Sequence, residues 1–214
     1  MDIIFDFDGT ISNSIIGIQD SFDKAFLQVF KENNTVDLYS MIGPPIHLIL
    51  LKVRPETTNE ESNLFVQLFR NNYDEQGHQL NSLYPDILEV LSTLKTKGHR
   101  LHIATFKRRT PLIKILETYK IISIFESIYT YDKEDGQNYN SKSDMVSEML
   151  ITFKINKNSC TMVGDSNDDA KAAEENNICF IFAAYGYGKD LKAAHTIYKT
   201  TEILDIINTF QSPL

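Results

Sequence analysis

Two carboxylates stand two residues apart near the start of the sequence, in the segment DFDGT at residues 6–10. The apolar run Ile3–Phe7 predicts a buried strand, so both aspartates lie at or just beyond its carboxyl end. That end of a strand is where open α/β sheets bind ligands, and side chains two residues apart share a face. Asp6 and Asp8 would repel each other unless a cation or a shared proton compensated their charge. Mg²⁺, which prefers oxygen ligands, fits this need; the alternative is a pair of solvated loop aspartates.

A second acidic cluster, GDSNDD at residues 164–169, follows the apolar run Cys160–Gly164 and opens a helical pattern. Alone, it fits a helix start, because Ser166 is a good cap residue and acidic residues stabilise a first helical turn. Two predicted strands that both end in carboxylates at one edge of a sheet change that interpretation. The second acidic cluster therefore favours a functional site at this edge over a purely structural role.

A hydroxyl and an ammonium group are predicted at the same edge. Thr105 ends the run Leu101–Thr105, and Lys142 opens a helical pattern after the run Ser127–Tyr131. A threonine hydroxyl and a helix N-terminus donate hydrogen bonds to phosphate oxygens, and a lysine adds a positive charge. These residue types predict a phosphate-binding site.

The elements that must position these residues alternate along the chain. Short β-branched and aromatic runs are separated by stretches with helical periodicity, which predicts a parallel α/β sheet covered by helices on both faces. The predicted strands are Ile3–Phe7, Leu101–Thr105, Ser127–Tyr131, Cys160–Gly164 and Ile178–Ala183.

The interval between the first two predicted strands is the exception to this alternation. It is far longer than the dozen or so residues that a simple crossover requires, contains no convincing strand, and has apolar stripes at helical spacing. We therefore expect residues 14–80 to form a helical insertion over the carboxyl edge of the sheet. Residues 1–13 and 81–214 would then form the α/β core.

Composition and charge exclude several classes of protein. The chain has 214 residues, 42% of them hydrophobic, and a formal net charge of −8. This length supports one sizeable core, and the acidic balance argues against a nucleic-acid partner, which needs clustered lysine and arginine. The N-terminal residues lack the pattern of a signal peptide, and no apolar run approaches the ~20 residues of a membrane span. We expect a cytoplasmic protein without a membrane partner, in which Cys160 and Cys179 are reduced core thiols; the sequence indicates no oligomeric state.

Taken together, the motifs resemble those of the haloacid dehalogenase (HAD) superfamily of phosphohydrolases, in the same order and at similar spacing. They are DFDGT at residues 6–10, HIATFK at 102–107 with Thr105 and Lys107, SKSDMV at 141–146 with Lys142, and GDSNDD at 164–169. The helical insertion directly after the first motif resembles the C1-type cap of this family. The segments IGPP at 42–45 and GYG at 186–188 are similar to those of phosphoglycolate phosphatase-like members. The resemblance implies a Rossmann-like parallel sheet flanked by helices, with a small α-helical cap inserted after the first strand.

The resemblance also implies an activity, the Mg²⁺-dependent hydrolysis of a small phosphorylated metabolite through an aspartyl-phosphate. Asp6 would be the nucleophile, and Asp8 would protonate the leaving oxygen and then deprotonate the hydrolytic water. The implied Mg²⁺ ligands are Asp6, the backbone carbonyl of Asp8, and Asp165, with Asp169 as a further or outer ligand.

The remaining matched positions are implied to bind phosphate. Thr105 and Lys142 would contact the transferred oxygens. Gly9 would let the backbone turn tightly beneath the phosphate, and Thr10 would fix that turn.

Three charged residues depart from the family pattern. Asp168 stands where many relatives have asparagine, and we expect it to be a solvated charge at a helix terminus. Arg108 and Arg109 follow Lys107 where proline is usual; they either attract an anionic substrate or are ordinary surface charges.

Other functions compatible with these residues stay open. The substrate could be phosphoglycolate, a nucleoside monophosphate, as in a 5′-nucleotidase, or pyrophosphate. A sugar-phosphate mutase would use the same aspartates, and a non-catalytic protein could use the scaffold to bind a phosphorylated ligand. A dehalogenase is disfavoured because its chemistry does not need an acid at Asp8.

Overall fold

The computed structural model describes residues 1–133, 136–189 and 191–210. The strands in chain order are β1 (Asp2–Phe5), β2 (Ser12–Asn13), β3 (Ser82–Leu83), β4 (Arg100–Ala104), β5 (Phe125–Tyr129), β6 (Cys160–Gly164), β7 (Cys179–Ala183) and β8 (His195–Ile197). Six of them form one sheet in the order β5-β4-β1-β6-β7-β8, and all adjacent pairs are parallel. The predicted α/β fold with a parallel sheet is therefore confirmed.

The helices in chain order are α1 (Ile15–Phe30), α2 (Ile46–Val53), α3 (Asn59–Glu75), α4 (Ile87–Thr96), α5 (Arg109–Thr118), α6 (Lys142–Thr152), α7 (Asn167–Asn176) and α8 (Glu202–Thr209). Buried side chains of α4, α5 and α8 pack in one cluster with the sheet. Those of α6 and α7 pack in a second cluster, with other side chains of the sheet. This covering explains why the central strands are buried and mostly apolar.

The predicted strands lie within two residues of the observed ones. The strand β8 was not predicted, because its sequence, HTI, is too short and too polar to form an apolar run. Cys160 is buried and Cys179 is partly exposed, and both are free thiols. Among the described residues, no helix has the length and apolar character needed to cross a membrane.

The long interval after β1 contains α1, α2 and α3, which we call the helical unit (residues 15–75). These helices share an apolar core in which Phe22 and Phe65 meet edge to face, with ring centroids 4.8 Å apart. The helix α3 begins at a capping box: Thr58 accepts a hydrogen bond from the N–H of Glu61, and the Glu61 carboxylate accepts one from the N–H of Thr58. The helical unit therefore has a core of its own, separate from the two clusters of the sheet.

Two short strands join the helical unit to the rest of the chain, although the sequence showed no strand in this interval. The outgoing strand β2 and the returning strand β3 pair antiparallel, with Ser12 opposite Leu83 and Asn13 opposite Ser82. The Ser12 hydroxyl also donates a hydrogen bond to the Ser82 carbonyl at 3.2 Å. We call the part of the chain that contains the six-stranded sheet and the helices packed on it the sheet domain. The chain thus leaves and re-enters the sheet domain at a single two-stranded ribbon.

Candidate active site

The strand order brings the two acidic motifs together. The central strands β1 and β6 are neighbours, and their pairing continues to Asp6, whose N–H donates a hydrogen bond to the Val163 carbonyl at 2.9 Å. Asp165 directly follows β6, and Asp169 lies in the first turn of α7. Carboxylate oxygens of Asp6, Asp165 and Asp169 lie within 4.8 Å of one another, and all three side chains are buried.

Backbone amides hold two of these carboxylates in place. Asp165 Oδ2 accepts hydrogen bonds from the N–H groups of Tyr187 at 2.7 Å and Gly188 at 3.3 Å. Asp169 Oδ2 accepts from the N–H groups of Asp165 at 3.1 Å and Ser166 at 2.9 Å. The GYG segment thus positions a site carboxylate, a role that the sequence did not predict for it.

Lys142, the first residue of α6, points into the carboxylate cluster. Its Nζ lies 2.6 Å from Asp169 Oδ1 and 3.1 Å from Asp6 Oδ1. Burial disfavours a charged ammonium, but the two carboxylates outweigh that effect, so the pKa of Lys142 lies above its ordinary value. One ammonium group therefore faces three buried carboxylates, and the cluster has an excess of negative charge.

Burial and the excess negative charge raise the pKa values of Asp6 and Asp165. Burial, with the charge of Asp169, raises the pKa of Asp6 from 3.8 to about 7. The same causes raise the pKa of Asp165 well above its ordinary value. Asp6 Oδ1 is buried and makes no hydrogen bond to any described residue, although the Lys142 ammonium is near. A cation would relieve the repulsion and would give this oxygen a further partner.

Asp8 lies apart from this cluster and has different partners. Its Oδ1 accepts hydrogen bonds from the Ser14 hydroxyl at 2.5 Å and from Lys107 Nζ at 2.9 Å. Lys107 Nζ also donates to the Tyr73 hydroxyl of α3 at 2.6 Å. The side chain of Lys107 is only 4% exposed. Burial alone would lower the pKa of Lys107, but the interactions with Asp8 and Tyr73 raise it. The motif HIATFK contained this lysine, but no residue pattern indicated that it would contact Asp8.

Thr105, which directly follows β4, lies beside the carboxylates and is buried. Its N–H donates to the Tyr129 carbonyl at 3.1 Å, and its hydroxyl oxygen accepts from the Lys107 N–H at 3.2 Å. The hydroxyl proton is left to donate to another group. Together with Asp6, Asp8 and Lys142, Thr105 lines the cleft between the sheet edge and the helical unit.

Gly9 and Thr10 both lie next to the Asp165 carboxylate. Gly9 has a φ of +85°, and a Cβ at this position would lie 2.2 Å from Asp165 Oδ2. Only glycine allows this turn and this approach. The Thr10 hydroxyl lies 3.5 Å from Asp165 Oδ1, at the limit of a hydrogen bond.

The three residues that depart from the family pattern have separate environments. The Arg108 guanidinium forms an ion pair with Asp74 of α3, so it joins the sheet domain to the helical unit. The N–H of Arg109 donates to Asp132 Oδ1 at 2.8 Å. Asp168 is partly exposed in the first turn of α7, where its charge complements the helix dipole.

Comparisons with known proteins agree with this architecture. The family model for haloacid dehalogenase-like hydrolases matches residues 3–183. A predicted phosphatase from Clostridium acetobutylicum, known from its crystal structure, aligns with a TM-score of 0.87 and 26% identity, over 97% of this chain and 98% of that chain.

Curated relatives carry three different names. Tyrosine-protein kinase PtkA of Mycobacterium tuberculosis is 30% identical over 87% of this chain, which spans only 63% of that protein. A 5′-nucleotidase of Pseudomonas aeruginosa is 27% identical over 88% of this chain and 84% of its own length. A phosphoglycolate phosphatase of Aquifex aeolicus is 27% identical over 87% of this chain and 86% of its own length.

Proposed function

Because this chain belongs to the haloacid dehalogenase-like hydrolase family, we propose that it is a phosphatase that hydrolyses small phosphomonoesters through a phosphorylated Asp6. The observation that carries the proposal is the separation of two kinds of carboxylate at one sheet edge. Asp6 lies buried with Asp165, Asp169 and Lys142, whereas Asp8 lies outside that cluster and is held by hydrogen bonds from Ser14 and Lys107. This division supports a nucleophile in the cluster and a separate residue that exchanges protons.

Mg²⁺ is the proposed cofactor, held by Asp6, Asp165 and the backbone carbonyl of Asp8, with Asp169 as a further or outer ligand. Asp6 Oδ1 accepts no hydrogen bond beyond its ion pair with Lys142, and the pKa values of Asp6 and Asp165 are raised; both observations support a cation among these carboxylates. Oxygen-only donors favour Mg²⁺ over softer metals. When bound, the ion would offset the repulsion between the Asp6 carboxylate and an anionic phosphate.

The chemistry proceeds in two steps on Asp6. A carboxylate oxygen of Asp6 attacks phosphorus, the bond to the leaving oxygen breaks, and Asp8 gives that oxygen a proton. A water molecule then transfers a proton to Asp8 and attacks the phosphorus of the aspartyl-phosphate. The bond between Asp6 and phosphorus breaks, which releases inorganic phosphate and restores the Asp6 carboxylate and the protonated Asp8. Lys107 and Ser14 keep the Asp8 side chain directed away from the buried cluster and available to the leaving group.

Two further residues are proposed to bind the transferred phosphoryl group. The Thr105 hydroxyl has a free proton to donate, and the Lys142 ammonium supplies positive charge next to Asp6. Fixed donors of this kind stabilise the charge on the equatorial oxygens during in-line transfer. Gly9 and Thr10 would shape the turn that places Asp8 against the phosphate.

Residues 14–80 are proposed to act as the cap of this site. The helical unit covers the carboxyl edge of the sheet and lines the cleft with apolar side chains, including Ile46 and Phe69. A closed, apolar cover excludes bulk water and strengthens the electrostatic interactions inside. The β2/β3 ribbon is the proposed hinge, because it contains the outgoing and the returning connection.

A turnover assay tests the proposal. Phosphate release would be measured with phosphoglycolate, nucleoside monophosphates, sugar phosphates, pyrophosphate and p-nitrophenyl phosphate, with Mg²⁺ or with EDTA. We expect release that EDTA abolishes and that Asp6→Asn abolishes, whereas the exposed-site control Asp205→Asn behaves as wild type. Isomerisation of a sugar phosphate without phosphate release would favour the mutase, and metal-independent release unaffected by Asp6→Asn would contradict the proposal.

A further inference from the structure

Four cationic side chains line the cleft above Asp6. Three of them have carboxylate partners: Lys142 with Asp6 and Asp169, Lys107 with Asp8, and Arg108 with Asp74. The fourth is Arg70 of α3, whose guanidinium makes no hydrogen bond or ion pair with any other residue that the structure describes. Its guanidinium is therefore the cation in this cleft that a ligand can reach without displacing a protein carboxylate.

The packing of the helical unit against the sheet domain explains why Arg70 is unpaired. Asp74 lies four residues after Arg70 on α3, which is the usual spacing for an ion pair on a helix. Its carboxylate instead pairs with Arg108, and its backbone carbonyl accepts a hydrogen bond from Lys114 Nζ at 2.8 Å. Arg108 thus engages Asp74 Oδ2, and the buried Asp74 Oδ1 accepts no hydrogen bond from Arg70 or any other described residue.

The surroundings of Arg70 make an unpaired charge costly. Its neighbours on the cleft-facing side of α3 are Val66, Phe69 and Tyr73, and the arginine itself is partly buried. A cation beside apolar side chains loses contacts with water and has no partner here that replaces them. An anion that binds there therefore forms a stronger ion pair than it would at an exposed surface.

The position of Arg70 in the cleft indicates which part of a bound substrate it would contact. Tyr73, one turn further along α3, contacts Lys107 and hence the Asp8 end of the cleft. Arg70 lies about 4.5 Å before Tyr73 along the helix axis, and it also lines the adjoining polar groove with Asn71 and Asp74. It therefore lies where the cleft meets this groove, next to the Asp8 end, which is the side proposed for the leaving group.

We propose that Arg70 binds an oxyanion on the leaving group, so that the preferred substrates are phosphomonoesters that carry a second anionic group. A guanidinium matches the planar oxygen pair of a carboxylate and the oxygens of a phosphate, either of which can be this second group. The inference rests on the proposed function, because the leaving group is defined by a phosphoryl group on Asp6.

Matched substrate pairs test this inference. Phosphoglycolate and ethyl phosphate differ in a carboxylate, whereas propane-1,3-diol bisphosphate and propyl phosphate differ in a phosphate. The readout is the ratio of kcat/KM within each pair, which cancels any general loss of activity. We expect the wild type to prefer the doubly anionic member of at least one pair about 10- to 100-fold, and Arg70→Gln to bring that ratio close to one. The pair that responds identifies the anion as carboxylate or phosphate.

The control is Lys52→Gln, which removes one positive charge from the exposed side of α2 and should keep the wild-type ratios. Calorimetric binding of the same compounds to Asp6→Asn and to Asp6→Asn/Arg70→Gln separates the two proposals. An Arg70-dependent preference in binding, without turnover by the wild type, would uphold the anion site and refute the hydrolase. Equal ratios in the wild type, or a preference that survives Arg70→Gln, would overturn the anion site.

Discussion

At the scale of single residues, Lys107 is the least expected feature of the site. It connects Asp8, the proposed acid and base, to Tyr73 of the helical unit, and it is buried between them. A lysine in this position holds the Asp8 carboxylate in one orientation and compensates its charge. The contribution of Lys107 to kcat/KM should therefore depend on whether the leaving group needs a proton.

Replacing Lys107 with methionine tests that role. We expect kcat/KM for an alkyl phosphate to fall about 10- to 100-fold, because Asp8 loses a charged hydrogen bond. The loss should be smaller for p-nitrophenyl phosphate, whose leaving group needs no proton in the step that phosphorylates Asp6. Steady-state kinetics with both substrates measure the difference, with Lys97→Met as the exposed control. Equal losses on both substrates would assign Lys107 a purely structural role.

The raised pKa of Asp6 predicts a dependence of metal binding on pH. Its pKa is about 7 in the folded chain and 3.8 ordinarily, so the folded state binds this proton more tightly than the unfolded state. Without metal, the contribution of Asp6 to stability is therefore lost as the pH rises through about 4 to about 7. A bound cation replaces the proton and restores stability above that range.

Thermal denaturation with Mg²⁺ and with EDTA checks this dependence. We expect the increase in Tm on adding Mg²⁺ to be larger at about pH 8 than at about pH 5. Asp6→Asn should reduce the difference between the two pH values. An increase of the same size at both pH values would show that protons and Mg²⁺ do not compete at Asp6.

At the scale of secondary-structure elements, the sequence predicts the strands and helices that have a clear apolar pattern. The strands β1, β4 and β6 are mostly apolar, and the residues after them lie at one edge of the sheet, as the sequence predicts. The ribbon formed by β2 and β3 was not predicted, because two-residue strands such as Ser12–Asn13 have no periodicity to detect. Contacts between elements that are distant in sequence, such as Lys107 with Tyr73, could not be predicted from the sequence either. They depend on how the helical unit packs against the sheet domain.

The ion pair between Arg108 and Asp74 is a contact of this kind and makes a prediction at the same scale. The sequence left Arg108 as either a substrate-attracting or a surface charge, and the structure pairs it across the cleft with α3. The two side chains are 25% and 24% exposed, so we expect a coupling energy of about 1 kcal/mol.

A double-mutant cycle with Arg108→Gln and Asp74→Asn measures that coupling energy from the KM values of the wild type, the two single variants and the double variant. Each single variant should raise KM, because the cleft closes less firmly, and the double variant should be no worse than the single ones. Additive effects of the two substitutions would show that the residues act independently.

At the scale of the whole molecule, the helical unit and the sheet domain enclose the site between them. The unit has its own apolar core and is joined to the sheet domain by one ribbon, so a rigid-body movement about that ribbon would open the cleft. Substrate entry and phosphate release should both require this movement.

Cross-linking the two parts tests whether opening is required. Cysteines at Asp74 and Arg108, joined by a short cleavable linker, would hold the cleft closed. We expect turnover to fall at least about tenfold when the linker is present and to recover when it is cleaved. The single-cysteine variants control for reaction at Cys179, which is partly exposed. Unchanged turnover in the linked protein would exclude opening as a step of the cycle.

The most direct test of the account is to observe the phosphoryl group on Asp6. Asp8→Asn should still react with p-nitrophenyl phosphate in the presence of Mg²⁺, because that leaving group needs no proton, but it should hydrolyse the product slowly. Acid quenching and peptide mass spectrometry would then detect one added phosphoryl group on the peptide that contains Asp6, and none in Asp6→Asn/Asp8→Asn. A phosphoryl group on another residue, or wild-type turnover with no covalent intermediate in Asp8→Asn, would contradict the account.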